Sequence, residues 1–187
     1  MGKKALEQDK QPEVVCSVCG RKLTRYGSKK LQDGVLCRNC AKLASDWLDN
    51  EDYARMTVDQ VKDHLAYCQE NLARIEQFRG LKVIDGKYSL YIDDAKREFV
   101  ISKRDDLIKA NADVFSISQI KNMRIIERKY RQKEGSDIYV ELIMDHPQFD
   151  NLRFQVNEFS CLTRDSAEYV LAKQLAFKYI NAFKKRR

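Results

Sequence analysis

Cys16-Ser-Val-Cys19 is answered, after 17 intervening residues, by Cys37-Arg-Asn-Cys40. Two CxxC pairs at this separation supply the four thiolates of a closed tetrahedral zinc site. Each pair wraps a tight turn around the ion, and Gly20 lets the chain reverse without a Cβ clash. The expected cofactor is therefore one structural Zn2+ on Cys16, Cys19, Cys37 and Cys40. A rubredoxin-like iron site uses the same ligand set and is the competing reading. A catalytic ion is not expected, because four thiolates leave no open position for water.

Asp33-Gly34, between Leu31 and Val35, is a hairpin turn signal that places the second pair at the end of a short hairpin. That is the layout of a zinc ribbon over residues 14–44. Its core would be minute, with Val14, Val18, Leu23, Leu31, Val35 and Leu36 as its members. Metal binding must then supply much of the folding free energy.

Charge is concentrated on this module. Residues 1–44 carry 10 Lys/Arg against 4 Asp/Glu, a net of +6, whereas residues 45–187 carry 25 against 24, a net of +1. The excess favours an acidic partner, and Arg21, Lys22, Arg25, Lys29, Lys30 and Arg38 are the candidate partner-binding residues. Arg21, Lys22, Arg38 and Lys42 also offset the negative charge of a zinc tetrathiolate, which explains them without a partner. Tyr26 is the only ring in residues 14–44, which is thin for base stacking.

The N-terminus is polar and lacks the apolar stretch of a secretory signal. No apolar run approaches the roughly 18–20 residues of a membrane span. A cytoplasmic, reducing location is the expectation, and there paired cysteines read as metal ligands rather than disulfides.

Residues 1–13 read as a charged, flexible tail. After the ribbon, residues 45–80 read as connecting helices: a turn or two over 41–48, an acidic break at 49–52, then a helix from Thr57. Thr57 and Gln60 form a capping box. Val58, Val61, Leu65, Cys68, Leu72 and Ile75 follow at heptad spacing. This seam packs on its own domain or, alternatively, forms a homodimer through Val58, Val61, Leu65, Leu72 and Ile75. Cys68 on the seam and Cys161 read as small buried hydrophobes. His64 falls on the exposed shoulder.

From Leu81 the hydrophobic period changes to two. Strands are expected at 88–92, 98–102, 120–133, 138–144 and 152–156, with residues 114–119 ambiguous. A final helix from Thr163 carries the stripe Ala172, Leu175, Ala176, Tyr179, Ile180 and Phe183. The expected class is α+β: a small zinc ribbon, a connecting helix, and over 81–187 an antiparallel sheet or open barrel capped by the C-terminal helix. That is the plan of a pleckstrin-homology-like (PH-like) or GRAM-like domain, and other α+β layouts share it.

The pattern CxxCG…DGxLCxxC is carried here by Cys16, Cys19, Gly20, Asp33, Gly34, Leu36, Cys37 and Cys40. It stands with His-Pro-x-Phe-Asp-x-Leu-Arg-Phe over residues 146–154, Leu90-Tyr91-Ile92-Asp93, and Asp113-Val114-Phe115-Ser116. Together these resemble a family of small uncharacterised proteins of Gram-positive bacteria and their phages. The resemblance implies a zinc-binding module on a β domain and carries no activity with it.

No GxSxG, HExxH, Walker loop or dinucleotide fingerprint occurs, and the two histidines are far apart in sequence. Asp93-Asp94 and Asp105-Asp106 read as turn residues, and His146-Pro147-Gln148-Phe149-Asp150 as a tight turn. Lys121, Arg124, Arg128, Lys129, Arg131 and Lys133 fall on both faces of one strand, the mark of a sheet edge. The same stretch, with the C-terminal Lys-Lys-Arg-Arg, could alternatively meet an anionic membrane. The expected function is a non-catalytic zinc-binding adaptor with a protein partner. Nucleic-acid binding by the ribbon and peripheral membrane binding are the alternatives.

Overall fold

The computed structural model describes residues 14–23, 26–130 and 135–187. The tail at 1–13, Arg25, Arg131 and Lys133 lie outside them. The chain divides into two compact units. One holds the described residues up to Ala44 together with Leu48–Ala66; the other holds Ser45–Trp47 and Tyr67–Arg187.

In the first unit, β1 (Lys29–Lys30) and β2 (Val35–Leu36) form the hairpin that Asp33-Gly34 predicts, with Lys29 opposite Leu36. Gly34 is required by space. A Cβ there would lie 2.5 Å from Ser17 Oγ and 2.7 Å from a Val58 methyl. Gly20 is required by conformation, at φ +69°. Helix α1 spans only Arg38–Ala41, so the expected turn over 41–48 is absent and Leu43 is exposed.

The acidic break is instead the start of a helix, α2 (Asn50–Arg55). Asp49 accepts the amides of Glu51 and Asp52, and Asp52 reaches back to the amide of Asp49. Carboxylates at a helix N-terminus satisfy orphan donors and favour the helix dipole, so a run that reads as a breaker acts as a cap. Thr57 and Gln60 form the expected capping box of α3 (Val58–Gln77), and Asp33 accepts the Val58 amide.

The first unit's core is larger than the ribbon alone. Leu31, Leu36 and the buried cysteines pack with Ala44, Tyr53 and Val61, flanked by Val18, Leu23, Met56, Val58 and Leu65. Val14, expected inside, is 59% exposed.

Along α3 the most buried residues are Val61, His64, Cys68, Asn71 and Ile75. The spacing is the predicted 3/4, but two of the seam leucines give way to their preceding neighbours. His64, expected on the exposed shoulder, is 1% exposed, while Leu72 is 38% exposed. Part of the reason is polar pairing. Asn71 donates to the Ala112 carbonyl at 2.8 Å and accepts the Val114 amide at 2.9 Å. Substituting Asn71→Ala strands both backbone groups in a buried site. The expected loss is about 2 kcal/mol or more, read as a lower urea midpoint at unchanged slope.

In the second unit, β3 (Leu81–Ile84), β4 (Ser89–Asp93), β5 (Glu98–Ser102) and β6 (Phe115–Ser116) make a four-stranded antiparallel sheet in sequence order. Then β7 (Ile120–Lys129), β8 (Ser136–Met144) and β9 (Asn151–Gln155) make a three-stranded one. The ambiguous residues 114–119 resolve into β6 and a single 3-10 turn, Ile117–Gln119. The basic strand β7 is an edge.

Helix α4 (Ala167–Lys184) begins later than Thr163, because Cys161 and Asp165 both take φ +64°, which no right-handed helix permits. Cys161, expected to be buried, is half-buried in this turn. The apolar stripe of α4 meets both sheets. Phe183 packs edge-on against Phe99 of β5 at 4.9 Å, and Tyr179 against Phe154 of β9 at 5.0 Å. The architecture is thus α+β, with antiparallel sheets and a closing C-terminal helix.

Candidate metal centre

The local fold brings the four predicted cysteines to one point. The Sγ atoms of Cys16, Cys19, Cys37 and Cys40 all lie within 4.8 Å of one another. Cys16 and Cys40 are 4.0 Å apart, and Cys19 and Cys37 are 3.7 Å apart. A tetrahedral zinc with Zn–S bonds of about 2.3 Å places its sulfurs about 3.8 Å apart. The two closest pairs, at 3.7 and 4.0 Å, are near that spacing, so the four sulfurs suit a tetrahedral ion.

Backbone amides prepare the sulfurs for negative charge. The Cys37 amide donates to Cys16 Sγ at 3.3 Å, and the Cys40 amide to Cys37 Sγ at 3.4 Å. The latter makes Cys37 the N-cap of α1, so the second CxxC is the first turn of a helix. Burial works against ionising Cys16, but amides of Cys19, Cys37 and Val18 outweigh it and bring the thiol down to about 6. Cys40 is pushed up, first by burial and then by its bonds to the neighbouring sulfurs. The first thiolate to form raises its neighbours, because like charges so close repel. A cation relieves that repulsion.

The candidate partner-binding residues do not form one free surface. Arg21, Lys22, Lys30 and Arg38 are exposed. Lys29 is engaged: its ammonium donates to Asn50 Oδ1 at 2.6 Å and lies over the Tyr53 ring. Arg25 is outside the described residues.

The other motifs are absorbed by packing. The His146 ring lies against Tyr67, Phe115 and Phe149, so the turn at 146–150 is an aromatic plug as well as a turn. Leu152 and Phe154 point into the core. Arg153 and Arg124 both donate to Glu141, which is 1% exposed. Burial would push that carboxyl up, and the two guanidinium groups hold it below the usual range. Arg124, read as part of a lipid-facing surface, is at least in part a structural ion.

Asp113 is a buried acid that the sequence did not single out for its chemistry. Its carboxylate accepts from Ser45 Oγ at 2.5 Å. Burial pushes it up to about 6, against the lowering effect of hydrogen bonds from Ser45 and Tyr67. Only an acid in an apolar run, 112–115, hinted at it.

The second unit is therefore favoured by the protonated acid. That contribution is complete below about pH 4 and is lost as pH rises through about 6. Its size is on the order of 3 kcal/mol. The stability difference between wild type and Asp113→Asn should shift in the variant's favour between pH 4.5 and 7. A difference that does not change with pH, by urea unfolding, would refute the buried-acid assignment.

A family model described as a domain of unknown function, DUF4428, matches residues 15–64. The matched segment, residues 15–64, is similar to that family. The four cysteines all fall within it, as do all the fully buried core residues of the first unit. No curated protein and no solved structure matches the chain. Among the described residues, no helix is long and apolar enough to cross a membrane.

Proposed function

We propose that this chain is a non-catalytic zinc-binding adaptor. The DUF4428 domain is the metal-held module, and the two sheets with α4 form a PH-like or GRAM-like recognition domain. The observation that carries the reading is the closed cluster of four sulfurs. It leaves an ion no vacant position, so the metal's role is to hold shape. The order of four-stranded sheet, three-stranded sheet and closing helix supports the PH-like assignment. Such folds commonly serve as recognition scaffolds.

Zinc is favoured over iron by this reading, and the two separate cleanly. Full-length chain, purified without added metal, should contain one zinc per chain by plasma mass spectrometry. It should lack the visible absorbance of an iron–thiolate centre. A folded first unit with metal content near zero would overturn the proposal.

A second reading, nucleic-acid binding, is favoured by the exposed Arg21, Lys22, Lys30 and Arg38 beside the cluster. Affinity capture from lysate, with and without nuclease, divides the two. A partner retained after nuclease supports the adaptor. Binding of nucleic acid that weakens steeply with salt supports the alternative.

A further inference from the structure

The second unit carries an apolar groove that none of the described residues fills. It lies between the segment following β9 and the first half of α4, with Val156, Leu162, Ala172 and Leu175 as its floor. Phe159 and Leu171 stand at its mouth, 73% and 62% exposed. Scattered exposed apolar residues are ordinary; two large ones flanking a concave apolar floor are not. The groove holds about 260 Å³. Small-molecule sites run from about 300 to 1,000 Å³ and are more enclosed. This one is sized for a few side chains of a docked segment.

The charge around it selects the segment. Among the described residues, Glu158 and Glu168 are the only ionisable ones lining the groove; both are exposed, and neither takes part in an ion pair with a described residue. Two unpaired carboxylates over an apolar floor complement a segment that presents apolar anchors flanked by Lys or Arg. An acidic segment would meet like charge.

We propose that this groove is the docking site for a basic amphipathic segment of a partner protein, with its apolar side chains between Phe159 and Leu171. The assignment rests on the adaptor reading and names the surface and the partner chemistry. Recognition follows the helix-in-groove mode, with anchors three and four residues apart.

The test uses the full-length chain and two fluorescein-labelled helical peptides of about 12 residues. Both carry leucines at three- and four-residue spacing; one has lysines elsewhere and the other glutamates. By fluorescence anisotropy the lysine peptide should bind and the glutamate peptide should not. Leu171→Asp should weaken binding about tenfold or more, as expected for a central anchor. Glu158→Lys combined with Glu168→Lys should reverse the peptide preference. All three positions are exposed, and circular dichroism checks that each variant keeps its fold.

Absence of binding, or binding of the lysine peptide that neither variant changes, overturns the groove assignment. So does a concentration-dependent dimer that Leu171→Asp dissolves, because a second copy of this chain would then be the occupant. Failure of the groove is distinguishable from failure of the adaptor. In the first case a partner is still captured after nuclease by the Leu171→Asp chain; in the second no partner is captured by any form.

Discussion

If the cysteine cluster holds a metal, removing it from the full-length chain, by chelation or by Cys37→Ser, should unfold the first unit. The bonds of the metal-held turn explain the size of the effect. Cys37 Sγ lies 3.7 Å from Cys19 and caps α1 through the Cys40 amide. Serine can keep the cap but is a poor zinc ligand. The apolar core left behind is Leu31, Leu36, Ala44, Tyr53 and Val61 with their half-buried neighbours. A core this size in a module of this length does not hold a fold by burial alone. Structural zinc contributes about 10–16 kcal/mol in comparable small modules. Loss of it is therefore comparable to the whole stability of an ordinary domain, about 5–15 kcal/mol.

Amide hydrogen exchange resolves the result residue by residue. The amides of Cys16, Leu31, Cys37 and Ala41, bonded within the first unit, should lose protection on chelation. Those of β4, β5 and β8 should keep theirs. Full protection of the first set in metal-free protein would show that α2 and α3 suffice to hold the ribbon, and the metal would be secondary.

Phe183→Ala should cost about 3–5 kcal/mol, the largest single-residue effect expected in the second unit. Phe183 and Phe99 are both completely buried, with ring centroids 4.9 Å apart and planes at 72°. Truncation leaves a cavity between α4 and β5 and removes an edge-to-face pair worth about 0.5–1.5 kcal/mol beyond its buried area. The neighbours cannot close the gap easily, because Tyr179 is pinned by its hydroxyl, which donates to the Tyr88 carbonyl. Phe177→Ala, on the same helix but 54% exposed, should change stability by less than about 0.5 kcal/mol. Urea unfolding of both variants, followed by tryptophan fluorescence, gives the contrast. Trp47 is a local reporter, since it stacks on Tyr88 at 6.1 Å. Equal costs at the two positions would mean that α4 is not the element that closes this unit.

Legibility differed from one element to the next. Strand β5 has the bounds that its period-2 pattern predicts, and the 172–183 stripe faces inward as its helical period requires. The acidic run at 49–52 was misread because Asp breaks a helix in its interior and starts one at its N-terminus, and composition does not distinguish the two. His64 and Asn71 were invisible as core residues for a related reason. A polar side chain is admitted to a core only when a specific partner meets it. For Asn71 the partners are the backbone of Ala112 and Val114, 41 and 43 residues away.

The sequence by itself determined the four-cysteine cluster, because two CxxC turns can converge on one point using only local geometry. It also determined the α+β class, because periodicity is a property of each segment alone. Tertiary structure decided the extent of the metal module, whose core draws in Tyr53 and Val61. It decided the buried state of Asp113 and the groove beside Phe159 and Leu171. Those features depend on which distant surfaces meet, and a local pattern does not carry that information.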